Sequence, residues 1–155
     1  MKNLILLLSV LFPATLFAQN WSADEKAIMN TLNEEGAAFI EMDMDRLAAV
    51  HVQDGSVVRY NLGDDKAITG WTEIKASFEE MFEGVKDNSW ENPKNTKENF
   101  IIKVTGKTAW VLCDNVWNWE ENGEKMGFVN KEISFLEKEK GTWKLSFYTF
   151  IVKPE

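Results

Sequence analysis

Apolar residues first recur at helical spacing along this chain and then switch to strict alternation. Ile28, Leu32, Ala38, Phe39 and Met42 mark one face of a helix. Ser22-Ala23-Asp24-Glu25 opens it, with an N-cap at Ser22 and acids in the first turn, where the helix dipole favours them. Asp43 and Asp45 begin a second, shorter helix, Leu47–Val52, which Asp54-Gly55 stops. Ser56–Tyr60 predicts a strand, Asn61–Lys66 a polar turn and Ala67–Gly70 a brief extended piece. Thr72 caps a third helix over Glu73–Phe82, striped by Ile74, Phe78, Met81 and Phe82. Asp87–Lys97 is polar, contains Pro93 and reads as a loop. Beyond it the period becomes two, predicting strands at Asn99–Thr105, Thr108–Trp119, Lys125–Leu136 and Trp143–Lys153. Gly106-Lys107, Asn122-Gly123 and Lys138–Gly141 are the turns between them.

Helices followed by an antiparallel meander give an α+β class: three N-terminal helices on a strongly curved antiparallel sheet. No repeat or linker divides the chain, so residues 19–155 are expected to form one domain. Residues 1–18 read as an export signal. Lys2 supplies the positive end, Leu4–Leu11 the apolar run, and Leu16-Phe17-Ala18 the small-residue cleavage site. The apolar run falls short of the ~20 residues that span a bilayer. The mature chain is therefore expected to start at Gln19 and to be periplasmic or secreted.

Charge narrows the partners. The chain carries 25 acidic residues against 17 Lys and Arg, a formal net charge of −8. With no basic cluster, a phosphate backbone or an anionic lipid surface would repel it, so neither nucleic acid nor, after signal cleavage, a membrane is an expected partner. Cys113 is the single cysteine and lies within an apolar strand, where burial is expected. With one His and one Cys, a His/Cys metal cluster cannot be built, and no cofactor motif is present.

Four stretches carry a family resemblance. They are Met42-Asp43-Met44-Asp45-Arg46-Leu47, Val52-Gln53-Asp54-Gly55-Ser56-Val57, Ile68-Thr69-Gly70-Trp71-Thr72-Glu73-Ile74 and Lys140-Gly141-Thr142-Trp143-Lys144-Leu145. In this order they resemble the SnoaL-like group of the nuclear-transport-factor-2-like superfamily, small cone-shaped α+β proteins. The resemblance covers essentially all of the expected mature chain. It implies a ligand-sized cone but no single activity, because the superfamily holds isomerases, dehydratases, epoxide hydrolases, cyclases and non-catalytic binders. Enzymes of the group often carry a His and then a Ser on the last strand; here those positions hold Thr149 and Ile151.

Register places the candidate site. A two-residue turn at Asn122-Gly123 pairs Glu121 with Glu124, Trp117 with Phe128, Asn115 with Asn130, Cys113 with Glu132 and Val111 with Ser134. If Glu137 pairs with Thr142 in the next hairpin, Glu132 faces Phe147 and Asn130 faces Thr149. These side chains then share one face, which the resemblance turns towards the cone interior. Glu132 is the one ionisable group in the middle of that wall. A carboxyl desolvated by Trp117, Phe128 and Phe147 suits a general acid or base; alternatively, Glu132 pairs with Arg59 as a structural ion pair. His51, the only histidine, is either a base or a packing ring at the mouth of the cone. The seven Trp either line a ligand cavity or fill core and interface. The outer face bears Trp110, Leu112 and Val116 among charges, which suits a homodimer interface.

Two functions stay open. One is an exported protein whose aromatic pocket binds a small apolar or flat ligand through His51, Arg59, Asn115, Trp117, Phe128, Asn130, Phe147 and Thr149. The other is a small isomerase, dehydratase or cyclase without a cofactor, with Glu132 as acid/base and Asn115 and Asn130 orienting the substrate. A weaker third is a protein-interaction module using the outer sheet face.

Overall fold

The computed structural model describes residues 20–61, 65–85 and 90–151; the proposed export signal and the Gln19 start lie outside them. The first helix, α1, runs Ala23–Ile40 and begins with a reciprocal cap. Ser22 Oγ accepts from the Glu25 amide at 3.2 Å, and the Glu25 carboxylate accepts from the Ser22 amide at 2.7 Å. Helix α2, Met44–Val50, is capped by Asp43, whose carboxylate accepts from the Arg46 amide. Strands β1 (Val58–Asn61) and β2 (Lys66–Thr69) form a hairpin, and α3 follows at Trp71–Val85. Helix α3 starts two residues before the sequence predicts. Gly70, at φ +87°, turns the chain, and its carbonyl accepts from the Ile74 amide. The meander is β3 (Glu91–Thr105), β4 (Thr108–Glu121), β5 (Glu124–Glu139) and β6 (Thr142–Ile151).

These strands form one six-stranded sheet in the order β2-β1-β6-β5-β4-β3. The expected antiparallel sheet is corrected in one place: β1 runs parallel to β6, pairing Arg59 with Tyr148, so the sheet is mixed. The return through α3 makes this possible, since parallel neighbours need a long crossover. Helix α1 lies against β3 and β6. Between helices and sheet the core holds Ile28, Leu32, Leu47, Val57, Ile74, Phe78, Val111, Leu136, Trp143 and Leu145. Cys113 is buried within it, as its strand position predicts, and burial pushes its thiol up to about 12. The indole N–H of Trp143 donates to Asp24 at 3.0 Å, tying the start of β6 to α1.

Two further expectations are corrected. The segment Asp87–Lys97 is not all loop, because β3 begins at Glu91. Its inward positions Asn95 and Lys97 are polar, which removes the apolar alternation that would have shown the strand. Pro93 is tolerated because β3 is an edge strand. The β5–β6 hairpin turns through Lys140-Gly141, with Glu139 rather than Glu137 opposite Thr142, and a bulge shifts register between Phe135 and Leu136. Glu132 therefore faces Phe150, not Phe147. By contrast, every β4–β5 pair predicted from the Asn122-Gly123 turn is present.

Candidate functional site

A cavity of about 390 Å³ opens between α1, α3 and the inner face of the sheet. Helix α1 contributes Glu35, Gly36 and Phe39; α3 contributes Phe78, Met81 and Gly84. The sheet supplies Arg59, Lys97, Asn115, Trp117, Phe128, Asn130, Tyr148 and Phe150, with Trp90 just before β3. Seven of the fifteen lining residues are aromatic. Trp117 stands edge-on to Phe39 at 5.9 Å and stacks against Phe128 at 6.2 Å, while Trp90 stacks on Trp119 at 4.9 Å. The volume lies at the small end of the range for ligand pockets.

The floor is charged. Lys97 Nζ lies 2.7 Å from Glu132 Oε2 and 3.6 Å from Glu35 Oε2, and it donates to Asn115 Oδ1 at 2.7 Å. The Lys97 and Glu132 side chains are 1% and 2% exposed and that of Glu35 is 8% exposed, so this cluster is buried, with Glu35 and Lys97 bordering the cavity. Ser134 Oγ donates to the other Glu132 oxygen at 2.6 Å. Burial pushes the Glu35 carboxyl above the usual carboxylate range; the negative charge of Glu132 adds to this and Lys97 only partly offsets it. Burial pulls on the Lys97 ammonium in the other direction, but the charges of Glu132 and Glu35 outweigh it and hold the proton more firmly than usual. An amide chain continues the floor: Asn95 Nδ2 donates to Asn115 Oδ1 at 2.6 Å, and Asn115 Nδ2 donates to Asn130 Oδ1 at 2.8 Å. Gly36 makes room for it, since a Cβ there would meet Asn95 Oδ1 at 2.0 Å.

Several predicted site residues meet here. Arg59, Asn115, Trp117, Phe128 and Asn130 line the cavity. Glu132 sits beneath the lining, and its partner is Lys97 rather than Arg59. The lone carboxyl expected from the sequence is thus one member of a buried ion-paired cluster. Phe147 and Thr149 do not join it. The β5–β6 bulge leaves Tyr148 and Phe150 in the cavity wall, so alternation sends their neighbours to the other face, where Phe147 packs edge-on against Phe135. His51 lies outside the lining as well. It is fully buried between Trp71, Phe78 and Tyr148, with Nδ1 2.7 Å from the Leu47 carbonyl. Since a carbonyl only accepts, Nδ1 carries the proton; burial lowers the ring to about 4 and keeps it neutral.

Among the cavity residues that the sequence does not single out are Glu35, Lys97, Tyr148 and Phe150. Glu35 follows Ile28 and Leu32 at i+7 and i+3, a carboxylate on an otherwise apolar helix face. That position was the available signal. Lys97 was hidden by the apparent loop.

The comparisons agree with this architecture. A family model described as a SnoaL-like domain matches residues 28–150. The chain belongs to the SnoaL-like domain family. Solved structures share this fold at low sequence identity. One is a protein of unknown function from Mycobacterium tuberculosis, with TM-score 0.71 and 12% identity, covering 85% of this chain and 73% of that one. Another is a candidate dehydratase of the NTF2-like family from Streptomyces avermitilis, with TM-score 0.66 and 16% identity over 83% and 97% of the two chains. A third is a candidate ketosteroid isomerase from Shewanella frigidimarina, with TM-score 0.61 and 19% identity over 81% and 94%. At these identities the likeness establishes the fold alone. Among curated proteins none matches the chain.

Proposed function

We propose that this SnoaL-like domain is an exported small-molecule-binding protein whose cavity holds a flat, largely apolar ligand. The aromatic cavity of about 390 Å³ carries the reading, because Phe39, Phe78, Trp117 and Phe150 line it without filling it. Such a wall recognises shape and apolar area, while Asn130 and the charged floor orient one polar end. Export rests on Lys2, the apolar run Leu4–Leu11 and Leu16-Phe17-Ala18. The test is native mass spectrometry of the purified protein, followed by titration of Trp fluorescence with a panel of planar apolar compounds. Retained ligand, or saturable quenching of Trp90 and Trp117, is the expected result. An empty protein that no panel member quenches would overturn the proposal.

Glu35 favours a second reading, an acid/base enzyme without a cofactor. Its carboxyl lines the cavity, and burial stabilises its protonated form, which keeps a proton available for donation to a bound ligand or for return after abstraction. Glu35 replaces Glu132 in this role, since Lys97 and Ser134 hold Glu132 beneath the lining. Two relatives of similar fold are described as a dehydratase and a ketosteroid isomerase candidate, and both chemistries move protons near oxygenated carbon. The discriminating measurement is solvent deuterium uptake into a retained or quenching ligand. Uptake that Glu35→Gln abolishes supports catalysis; uptake absent from the wild type removes it.

A further inference from the structure

Arg59 and Tyr148 present two strong donors that the described residues leave largely unused. They are paired neighbours across the parallel β1–β6 junction, and both line the cavity. Arg59 Nε is buried with no hydrogen-bond partner. Its two terminal nitrogens find only Ser77 Oγ at 3.4 Å and Met81 Sδ at 3.6 Å, both weak contacts. Among the described residues no carboxylate forms an ion pair with this guanidinium. It is held instead against aromatic faces, 5.5 Å from the Phe78 ring centroid and 5.9 Å from that of Tyr148. The Tyr148 hydroxyl is also buried without a partner. An arginine fork and a phenol left unsatisfied beside an apolar cavity are costly, and a ligand acceptor would remove the cost.

We infer that Arg59 and Tyr148 form an anion-recognition subsite and that the ligand is a flat apolar carboxylate. The inference rests on the cavity being a ligand site. Charge bookkeeping selects a monoanion. Lys97 and Glu132 neutralise each other at 2.7 Å, and His51 and Tyr148 are neutral. Glu35 lies against Lys97 at 3.6 Å. Arg59 is the cation of this cavity that no carboxylate of the described residues pairs with. A carboxylate matches it in charge and fits the guanidinium fork. A phosphate dianion would bring a second charge that the cavity does not balance. The apolar remainder of the ligand then lies along Phe78, Phe150 and Trp117, all of which share the cavity with Arg59.

Matched probe pairs test this. Benzoate, 2-naphthoate and 4-biphenylcarboxylate are each titrated against the corresponding primary amide, with Trp fluorescence and calorimetry as readouts. The wild type is expected to bind at least one acid tenfold or more tighter than its amide. Arg59→Gln should erase that preference, and Tyr148→Phe should reduce it several-fold. Arg59→Lys, which keeps the charge but not the fork, is the folding control and should keep only part of the preference. Equal binding of acid and amide in the wild type would overturn the anion subsite and leave the cavity reading standing, as would a preference that survives Arg59→Gln. Failure of all six probes to bind the wild type would overturn the cavity reading and the subsite with it.

Discussion

Removing the Lys97 ammonium should cost more stability than its removal from any exposed position. In Lys97→Met the alkyl stem is kept, but the ammonium over the Phe150 ring is lost and Glu35 and Glu132 lose the cation between them. The separations set the scale. At an effective dielectric of about 20, unit charges 2.7 Å and 3.6 Å apart attract by roughly 6 and 5 kcal/mol. The desolvation of three ions opposes this, so the net worth of the intact cluster is small, but removal of one partner leaves the desolvation of the others uncompensated. Breaking a buried pair in this way costs about 3–5 kcal/mol. For a chain of this size that is a fall in Tm of roughly 10–15 °C.

Urea unfolding followed by Trp fluorescence reads the loss without adding ionic strength. The triple variant Lys97→Met/Glu35→Gln/Glu132→Gln removes all three charges and keeps an acceptor for the Ser134 hydroxyl, so it should recover most of the lost stability. If Lys97→Met cost less than about 1 kcal/mol, the cluster would be hydrated and the charged floor misjudged. If the triple variant were no more stable than the single, lost packing rather than stranded charge would be the cause.

Four other outcomes follow. Glu35 has a folded pKa raised above its usual 4.5, so it favours the native state at low pH and opposes it as pH rises through the folded value; Glu35→Gln should flatten that part of the stability profile and stabilise the protein relative to wild type at pH 8. His51 acts in the opposite sense: with its ring lowered to about 4, its contribution is complete above about 6.5 and is lost as pH falls towards 4, and the single imidazole NMR resonance should not titrate between pH 5.5 and 8. We also propose a homodimer through the outer face, where Trp110, Val129 and Phe135 stay exposed beside Leu112 and Val116; light scattering should show a dimer at micromolar concentration that Trp110→Lys dissociates, and a monomeric wild type would refute it. The exported protein should begin at Gln19, which its intact mass will show; a retained Met1 would refute the export signal.

Chemistry at single residues decided how far the sequence could be read. The Asn122-Gly123 turn carries its register with it, because two residues at positive φ permit one tight hairpin geometry, and every β4–β5 pair followed from it. Lys140-Gly141 makes a turn of the same length, also at positive φ, but lysine does not advertise that conformation, so pairing Glu137 with Thr142 sets the hairpin two residues out of register. The bulge beside Leu136 then exchanged faces, bringing Tyr148 and Phe150 inward and sending Phe147 and Thr149 out. No local pattern announces one extra residue in a strand.

The charged floor was hidden for a related reason. Apolar periodicity finds cores, and this cavity is bounded where the periodicity fails: Glu35 interrupts the apolar face of α1, and Asn95 and Lys97 interrupt the inward face of β3. Each looks like a surface residue alone. Together they require one another, because a carboxylate at 35 is tolerable in that face only if a cation reaches it from the sheet. Gly36 and the polar start of β3 let the two elements approach closely enough for that. A fold built for stability alone would fill these positions with leucine or valine, since an apolar replacement of a buried ion cluster is often neutral or stabilising. Retaining the charges beneath an open aromatic cavity therefore fits the proposed ligand site, which the aromatic cavity itself carries.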